Sequence, residues 1–315
     1  MEQKTIIIVV PCYNEQEVFE DSNKKLLNLL DEMISNMLVS KDSKILYVND
    51  GSKDNTWNLI SECSKKFKNV CGVKLAKNVG HQNALLSGLT VGKEWGDALI
   101  SIDADLQDDI NVIPDMIRKF YVGKDIVYGV RKKRTTDSWF KRTTALTFYK
   151  LMEYLGVKSV YNHADFRLMS KRAVNFLCEF RERNLFLRGM VPLIGYETDC
   201  VYYDRAERLA GESKYPVGKM VNFAIDGITS FSTKPVRLVF GLGFIFLIVA
   251  IIIFIYVLYS VITHRAILGW TSIILSIWLV GACILMGLGV VGEYIGKIYI
   301  EVKNRPRYNI EEITN

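Results

Sequence analysis

The 315-residue chain is 50% hydrophobic, 23% charged and carries a formal net charge of +6. That is too apolar for a disordered chain, and the length allows one large domain or two small ones. The six cysteines, at 12, 63, 71, 178, 200 and 283, show neither paired nor metal-ligand spacing, which argues against a disulfide framework or a zinc site and for reduced thiols in a cytosolic domain.

Thr5-Ile6-Ile7-Ile8-Val9-Val10 is a β-branched run ended by Pro11, the pattern of a buried strand. Met1-Glu2-Gln3-Lys4 leads straight into it, so no signal peptide is expected. Pro11-Cys12-Tyr13-Asn14-Glu15 forms the loop at the strand's C-terminal end, and a helical stretch continues to about Leu38. Lys44–Asn49 is the next strand, ending in the turn Asp50-Gly51-Ser52-Lys53-Asp54, whose last residue can cap a helix. Val70–Leu75 is a third strand, and Lys77-Asn78-Val79-Gly80-His81 opens another helix. His81 reads as a helix-start residue and not a metal ligand, because no second His or Cys stands at metal spacing. Asp97–Ile100 is a fourth strand and Asp125–Gly129 a fifth. The alternation predicts an α/β domain with a mostly parallel sheet wrapped on both faces.

The fourth strand runs into Ser101-Ile102-Asp103-Ala104-Asp105-Leu106-Gln107-Asp108-Asp109. Ligands of open α/β sheets bind where strands end in this way. Asp103 and Asp105 are two residues apart, so an extended backbone puts both carboxylates on one face. With the Gln107 carbonyl they offer only oxygen ligands, which suits Mg²⁺ or Mn²⁺. Such a metal would neutralise a departing diphosphate.

Residues 238–262 and 267–291 contain no charged residue, and each run reaches roughly 37 Å as a helix, enough to cross a hydrocarbon core of about 30 Å. The expected organisation is a domain over 1–215, an amphipathic interfacial helix over 216–236, two transmembrane helices at 238–262 and 267–291, and a tail over 292–315. Val217, Met220, Val221, Ala224, Ile225, Ile228 and Phe231 supply the helical stripe before the first span. Lys214, Lys219, Lys234 and Arg237 precede the spans and Lys297, Lys303, Arg305 and Arg307 follow them, so the positive-inside rule puts the domain and both termini in the cytoplasm of a multi-pass membrane protein. Nothing resembles a nucleic-acid recognition element. Gly287-Leu288-Gly289-Val290-Val291-Gly292 fits a dinucleotide fingerprint but follows no short strand, and Gly292-x-x-x-Gly296 better suits close helix packing, within the hairpin or in a homo-oligomer.

Pro11-x-Tyr13-Asn14-Glu15, Asn49-Asp50-Gly51-Ser52-x-Asp54, Asn78-x-Gly80 and Asp103-Ala104-Asp105-Leu106-Gln107 occur in the order found in inverting glycosyltransferases of the GT-A fold. With the two C-terminal spans, nearly the whole chain resembles the polyprenyl-phosphate glycosyltransferases, which include bactoprenol glucosyltransferases and dolichol-phosphate mannose synthases. The resemblance implies transfer of a sugar from a nucleotide sugar to a polyprenyl phosphate lipid, with glucose from UDP-glucose and undecaprenyl phosphate as the implied pair and mannose or N-acetylhexosamine donors as alternatives. Pro11, Tyr13, Glu15 and Asp50 would then hold the base and ribose, with Asn78, Gly80 and Asp103 completing the nucleotide-sugar site. Arg131 and Arg142, and the loop Arg208-Leu209-Ala210-Gly211-Glu212-Ser213-Lys214-Tyr215, would meet the acceptor phosphate, through Arg208, Ser213 and Lys214 in the loop.

In the related enzymes the aspartate of Asn162-His163-Ala164-Asp165-Phe166-Arg167 is proposed as the catalytic base, which carries over to Asp165. A phosphate monoester with a second pKa near 6 is already ionised at neutral pH, so a base gains little. Asp165 is instead expected to orient acceptor or sugar, paired with Arg167. Three rival readings are a processive polysaccharide synthase, a sugar-phosphate nucleotidyltransferase and a non-enzymatic membrane scaffold. The first lacks its Gln-x-x-Arg-Trp element, since Arg188-Gly189-Met190 has no tryptophan. The second lacks a glycine-rich signature near its first strand, and the third would not need the acidic residues.

Overall fold

The computed structural model describes residues 3–131, 163–183, 185–204 and 270–314, with individual helical positions between 236 and 262. It divides into two compact units, one comprising the N-terminal part of the chain together with residues 305–315, the other the apolar C-terminal part.

The first unit is built on β1 (Ile6–Cys12), β2 (Lys44–Asn49), β3 (Val70–Leu75), β4 (Ala98–Ser101), β5 (Ile126–Arg131), β6 (His163–Ser170), β7 (Thr198–Tyr203) and β8 (Ile310–Thr314). Among the described residues these form one sheet in the order β7-β5-β6-β4-β1-β2-β3-β8. The block β3-β2-β1-β4 is parallel, as the alternation of strands and helices requires. The sheet is nevertheless mixed: β6 lies antiparallel between β4 and β5, and β8 lies antiparallel against β3.

Ile6, Ile7, Ile8, Val9 and Val10 have no solvent exposure. Both faces of this strand are covered, which is why its sequence is a continuous apolar run. Ile6, Ile8 and Val10 face the cluster that includes Phe19, Leu26 and Leu30 of α1 (Gln16–Ser35). On the other face α3 (His81–Gly92) lies so close that a Cβ at Gly88 would fall 2.5 Å from Val9 Cγ1. Each such side chain buried contributes about 1.5–3 kcal/mol. Helices α2 (Thr56–Lys66), α4 (Ile113–Tyr121), α5 (Lys171–Glu179) and the short α6 (Leu187–Met190) complete the layers.

Pro11 does not end the first strand; it pairs with Val48 and the ladder continues to Cys12. The Val9 carbonyl accepts from Ile102, so Pro11, two residues on, faces the same flank beyond the last β4 pair at Ser101. No ladder partner there needs the N–H that proline lacks.

In the second unit, α7 (Trp270–Lys303) has 34 residues, about 51 Å of helix. Its stretch Leu279–Lys303 has mean hydropathy 1.8 and is long and apolar enough to cross a membrane. Ile277, Leu285, Met286 and Ile298 are exposed around it. The helix outruns the expected span 267–291, continuing through the first part of the expected tail, and the rest of that tail includes β8. The glycine pattern at 287–292 lies inside α7, away from any strand. Among the described residues a Cβ at Gly292 or Gly296 would meet nothing within 4 Å, and one at Gly287 would lie 3.2 Å from Val239.

Candidate active site

Parallel strands end on one edge, so the loops after β1, β2, β3 and β4 converge there. The first two loops are laced together. Asn14, at φ 55°, donates its N–H to Ser52 Oγ at 3.0 Å and accepts the Lys53 N–H at 2.9 Å. The N-cap of α2 is Asn55 and not Asp54, but Asp54, one residue before it, accepts the Thr56 N–H at 3.0 Å on one oxygen and the Gln16 N–H at 3.2 Å on the other. Glu15 donates its N–H to Thr56 Oγ1 at 3.0 Å. Tyr13 stands exposed on this edge and Pro11 is buried in β1.

The loop after β3 is built around Asp50. Its carboxylate is only 2% exposed and accepts the Val79 N–H at 2.7 Å on one oxygen and the Gly80 N–H at 3.0 Å on the other. Burial raises its pKa, against the two N–H donors. Asn78 Nδ2 donates to the Asp50 carbonyl at 3.2 Å. Gly51, at φ +62°, makes this approach possible, because a Cβ there would lie 2.5 Å from Asn78 N. Asp50, Asn78 and Gly80 are thus brought together, with the carboxylate turned to the loop.

Asp103 and Asp105 follow β4. Asp103 Oδ1 lies 3.6 Å from His81 Nε2, and Asp105 Oδ1 accepts the Gln107 N–H at 3.3 Å. The Asp103 pKa is pushed up to about 6, first by loss of solvation and then by Asp165, Asp108 and Asp105, with His81 opposing. This excess of negative charge fits a divalent cation at Asp103 and Asp105. Gln107 is 4% exposed, so its side chain lies beneath the surface on which the two carboxylates open. Among the described residues no set of three or more His, Cys, Asp or Glu side chains is gathered as a metal cage, so water or substrate oxygens would complete the shell.

Strand β6 supplies the opposite wall. Its antiparallel register sets Arg167 against Ser101, and Ser101 Oγ donates to the Asp165 carbonyl. Asp165 is a locked anion. Its Oδ1 accepts from Arg167 Nη2 at 2.7 Å and Arg188 Nε at 3.2 Å, and its Oδ2 from Arg188 Nη2 at 2.9 Å. Burial alone would raise its pKa, yet Arg188 and Arg167 hold it well below the usual carboxylate range. His81 Nε2 lies 3.8 Å from Asp165 Oδ2, between the two aspartates. The pairing of Asp165 with Arg167 agrees with the expectation.

Arg188, which in the sequence marks only an incomplete Gln-x-x-Arg-Trp element, proves to be a site residue. It sits on the four-residue α6, anchored by the Leu187 N–H to Gln82 Oε1 at 2.8 Å. Asp108, also unforeseen, is 2% exposed and accepts from Arg131 Nη2 at 2.8 Å and Nε at 3.2 Å. Arg131 therefore stands at the end of β5 with a carboxylate on its guanidinium. Arg142, Arg208, Ser213 and Lys214, and the interfacial helix expected at 216–236, lie outside the described residues.

A sheet of this topology, with its acidic loop after β4 facing a pinned carboxylate on β6, defines a glycosyltransferase of GT-A-like fold. Residues 7–177 match the family model "Glycosyl transferase family 2", and the chain belongs to that family. It is 53% identical to an uncharacterized glycosyltransferase, YkoT, of Bacillus subtilis (strain 168), covering 98% of this chain and 92% of the relative. It is 40% identical to the prophage bactoprenol glucosyl transferase homolog of Escherichia coli (strain K12), covering 98% and 99% respectively. It is 41% identical to the SfII prophage-derived bactoprenol glucosyl transferase of Shigella flexneri, covering 98% and 97%.

Proposed function

We propose that the protein transfers glucose from UDP-glucose to undecaprenyl phosphate with inversion, making a lipid-linked sugar for cell-surface glycan modification. The observation that carries this reading is end-to-end relationship: the bactoprenol glucosyl transferases match over 97–99% of their length, the apolar C-terminal region included.

An oxygen of the acceptor phosphate attacks the anomeric carbon. The new C–O bond forms as the bond to the nucleoside diphosphate breaks, and the diphosphate leaves with the electron pair. Asp165 does not take a proton, because the acceptor is already ionised at neutral pH. It holds Arg167 and Arg188 in place, so that Arg188 can present positive charge to an anionic acceptor. Asp50 shapes the donor loop through the Val79 and Gly80 N–H groups. Asp103 and Asp105 would hold a divalent cation, Mg²⁺ or Mn²⁺, which supplies Lewis-acid stabilisation of the leaving diphosphate. Arg131, Arg142, Arg208, Ser213 and Lys214 remain the proposed acceptor-phosphate contacts, and Pro11, Tyr13 and Glu15 the proposed walls of the nucleotide site.

The membrane reading is two spans, with the domain and both termini cytoplasmic. The even number of spans is supported by a parity argument, and the cytoplasmic side by the basic residues that flank the two runs. Strand β8 belongs to the same sheet as β1–β7, so the chain between β7 and β8 must cross a bilayer an even number of times. If α7 is one crossing, the uncharged run 238–262 is the second.

The test is a panel of radiolabelled nucleotide sugars with undecaprenyl phosphate in detergent, with and without a chelator. Metal-dependent labelling of the organic phase by UDP-glucose alone supports the reading. Labelling by another sugar reassigns the donor, and a water-soluble polymer reassigns the acceptor.

A further inference from the structure

The donor loop Lys77–Gly80 is strung between β3 and α3, and the C-terminal tail pairs with the strand that enters it and bonds to the far end of the helix that leaves it. On the entry side β8 pairs with β3 through Gly72↔Thr314, Val73↔Ile313, Lys74↔Glu312 and Leu75↔Ile310. The Ala76 N–H, one residue before the loop, donates to the Asn309 carbonyl at 3.0 Å. Thr314 Oγ1 accepts the Gly72 N–H at 2.8 Å, and Lys74 Nζ lies 2.9 Å from Glu311 Oε1. Near the C-terminal end of α3, nine residues beyond its start, Thr90 Oγ1 accepts from Tyr308 Oη at 3.0 Å. Arg307 Nη2 donates to the carbonyl of Phe180, just beyond α5.

Charge on an exposed edge strand usually discourages pairing. Here the acidic pair Glu311-Glu312 sits in a strand that does pair, and residues 307 and 308 add side-chain bonds to the Phe180 carbonyl and to α3. The fold therefore places, after six residues that follow the end of α7 at Lys303, a strand whose register fixes where Ala76 lies, and through it the Val79 and Gly80 N–H groups that close on Asp50.

We infer that the tail Arg307–Thr314 is a positioning element of the donor site: it sets the Lys77–Gly80 loop, and its detachment weakens nucleotide-sugar binding without touching the acceptor side. The inference rests on the donor-loop reading for its kinetic part and on the geometry alone for its structural part.

The experiment uses the full-length protein in detergent. Arg307→Ala/Tyr308→Phe removes the side-chain anchors, and Ile310→Pro interrupts the strand. Hydrogen exchange is followed over residues 76–82, and KM is measured separately for UDP-glucose and undecaprenyl phosphate. Faster exchange over 76–82, by about tenfold, is expected in both variants. The donor KM should rise about tenfold, the equivalent of about 1.4 kcal/mol, with the acceptor KM within about twofold of wild type. Unchanged exchange over 76–82 in the Ile310→Pro protein overturns the inference, as does an equal rise in both KM values. A wild-type protein inactive with UDP-glucose would sink the substrate assignment while leaving the exchange result to decide this inference.

Discussion

Replacing Asp165 with Asn separates an orienting anion from a catalytic base. The substitution keeps shape and one acceptor oxygen but removes the charge that faces Arg167, which is 1% exposed, and Arg188. Removing one partner of a buried ion pair costs about 3–5 kcal/mol. The retained acceptor puts Asp165→Asn near the lower end, about 3 kcal/mol, which for a unit of this size lowers Tm by roughly 6–12 °C. The pH dependence follows from the depressed folded-state pKa. An acid whose pKa is lowered on folding adds stability above its unfolded value of about 3.9, and that stability is lost as pH falls below it. The gap between wild type and variant should be full at neutral pH and narrow below about pH 4. The assay is thermal unfolding of both proteins across pH, with turnover measured on the same preparations. An Asp165→Asn protein with wild-type Tm, whose lost activity returns as pH is raised, would refute the orienting role and restore the base.

Gly51→Ala should lower stability by at least about 2 kcal/mol and raise the donor KM, since a side chain at φ +62° would press on Asn78 N; thermal melting and donor kinetics check this. Asp103→Ala should reduce kcat about a thousandfold, with neither Mg²⁺ nor Mn²⁺ restoring it, whereas chelator-treated wild type recovers when metal is returned. Asp125, whose pKa is lowered first by its hydrogen bond from Arg172 and further by Ser170, precedes β5 at the edge of the sheet opposite the loop after β4. Asp125→Asn should lower Tm at neutral pH, converge on wild type below about pH 4, and leave both KM values unchanged.

Strands β1–β4 were legible because burial on both faces leaves an uninterrupted apolar run in the sequence. β6 was not, because its Phe166, Leu168 and Met169 are interrupted by Arg167, a charge that reads as surface yet lies buried against Asp165. β8 was hidden for a related reason: Glu311 and Glu312 look like a solvated tail, and only the free edge of β3 reveals their use. At the site, Asp50, Asp103 and Asp105 announced themselves as carboxylates closing apolar strands. Arg188 showed only as the arginine of an incomplete Gln-x-x-Arg-Trp element, since a four-residue helix carries no periodic signal and its partner Asp165 lies 23 residues earlier.

The central claim is that the sugar is joined to a polyprenyl phosphate by a single inverting displacement. The direct measurement is the anomeric configuration of the organic-extractable product made from α-linked UDP-[¹³C]glucose and undecaprenyl phosphate, read by NMR. A β-linked glucosyl phosphate on the lipid is the predicted result. An α-linked product would contradict the single displacement, and label confined to the aqueous phase would contradict the lipid acceptor.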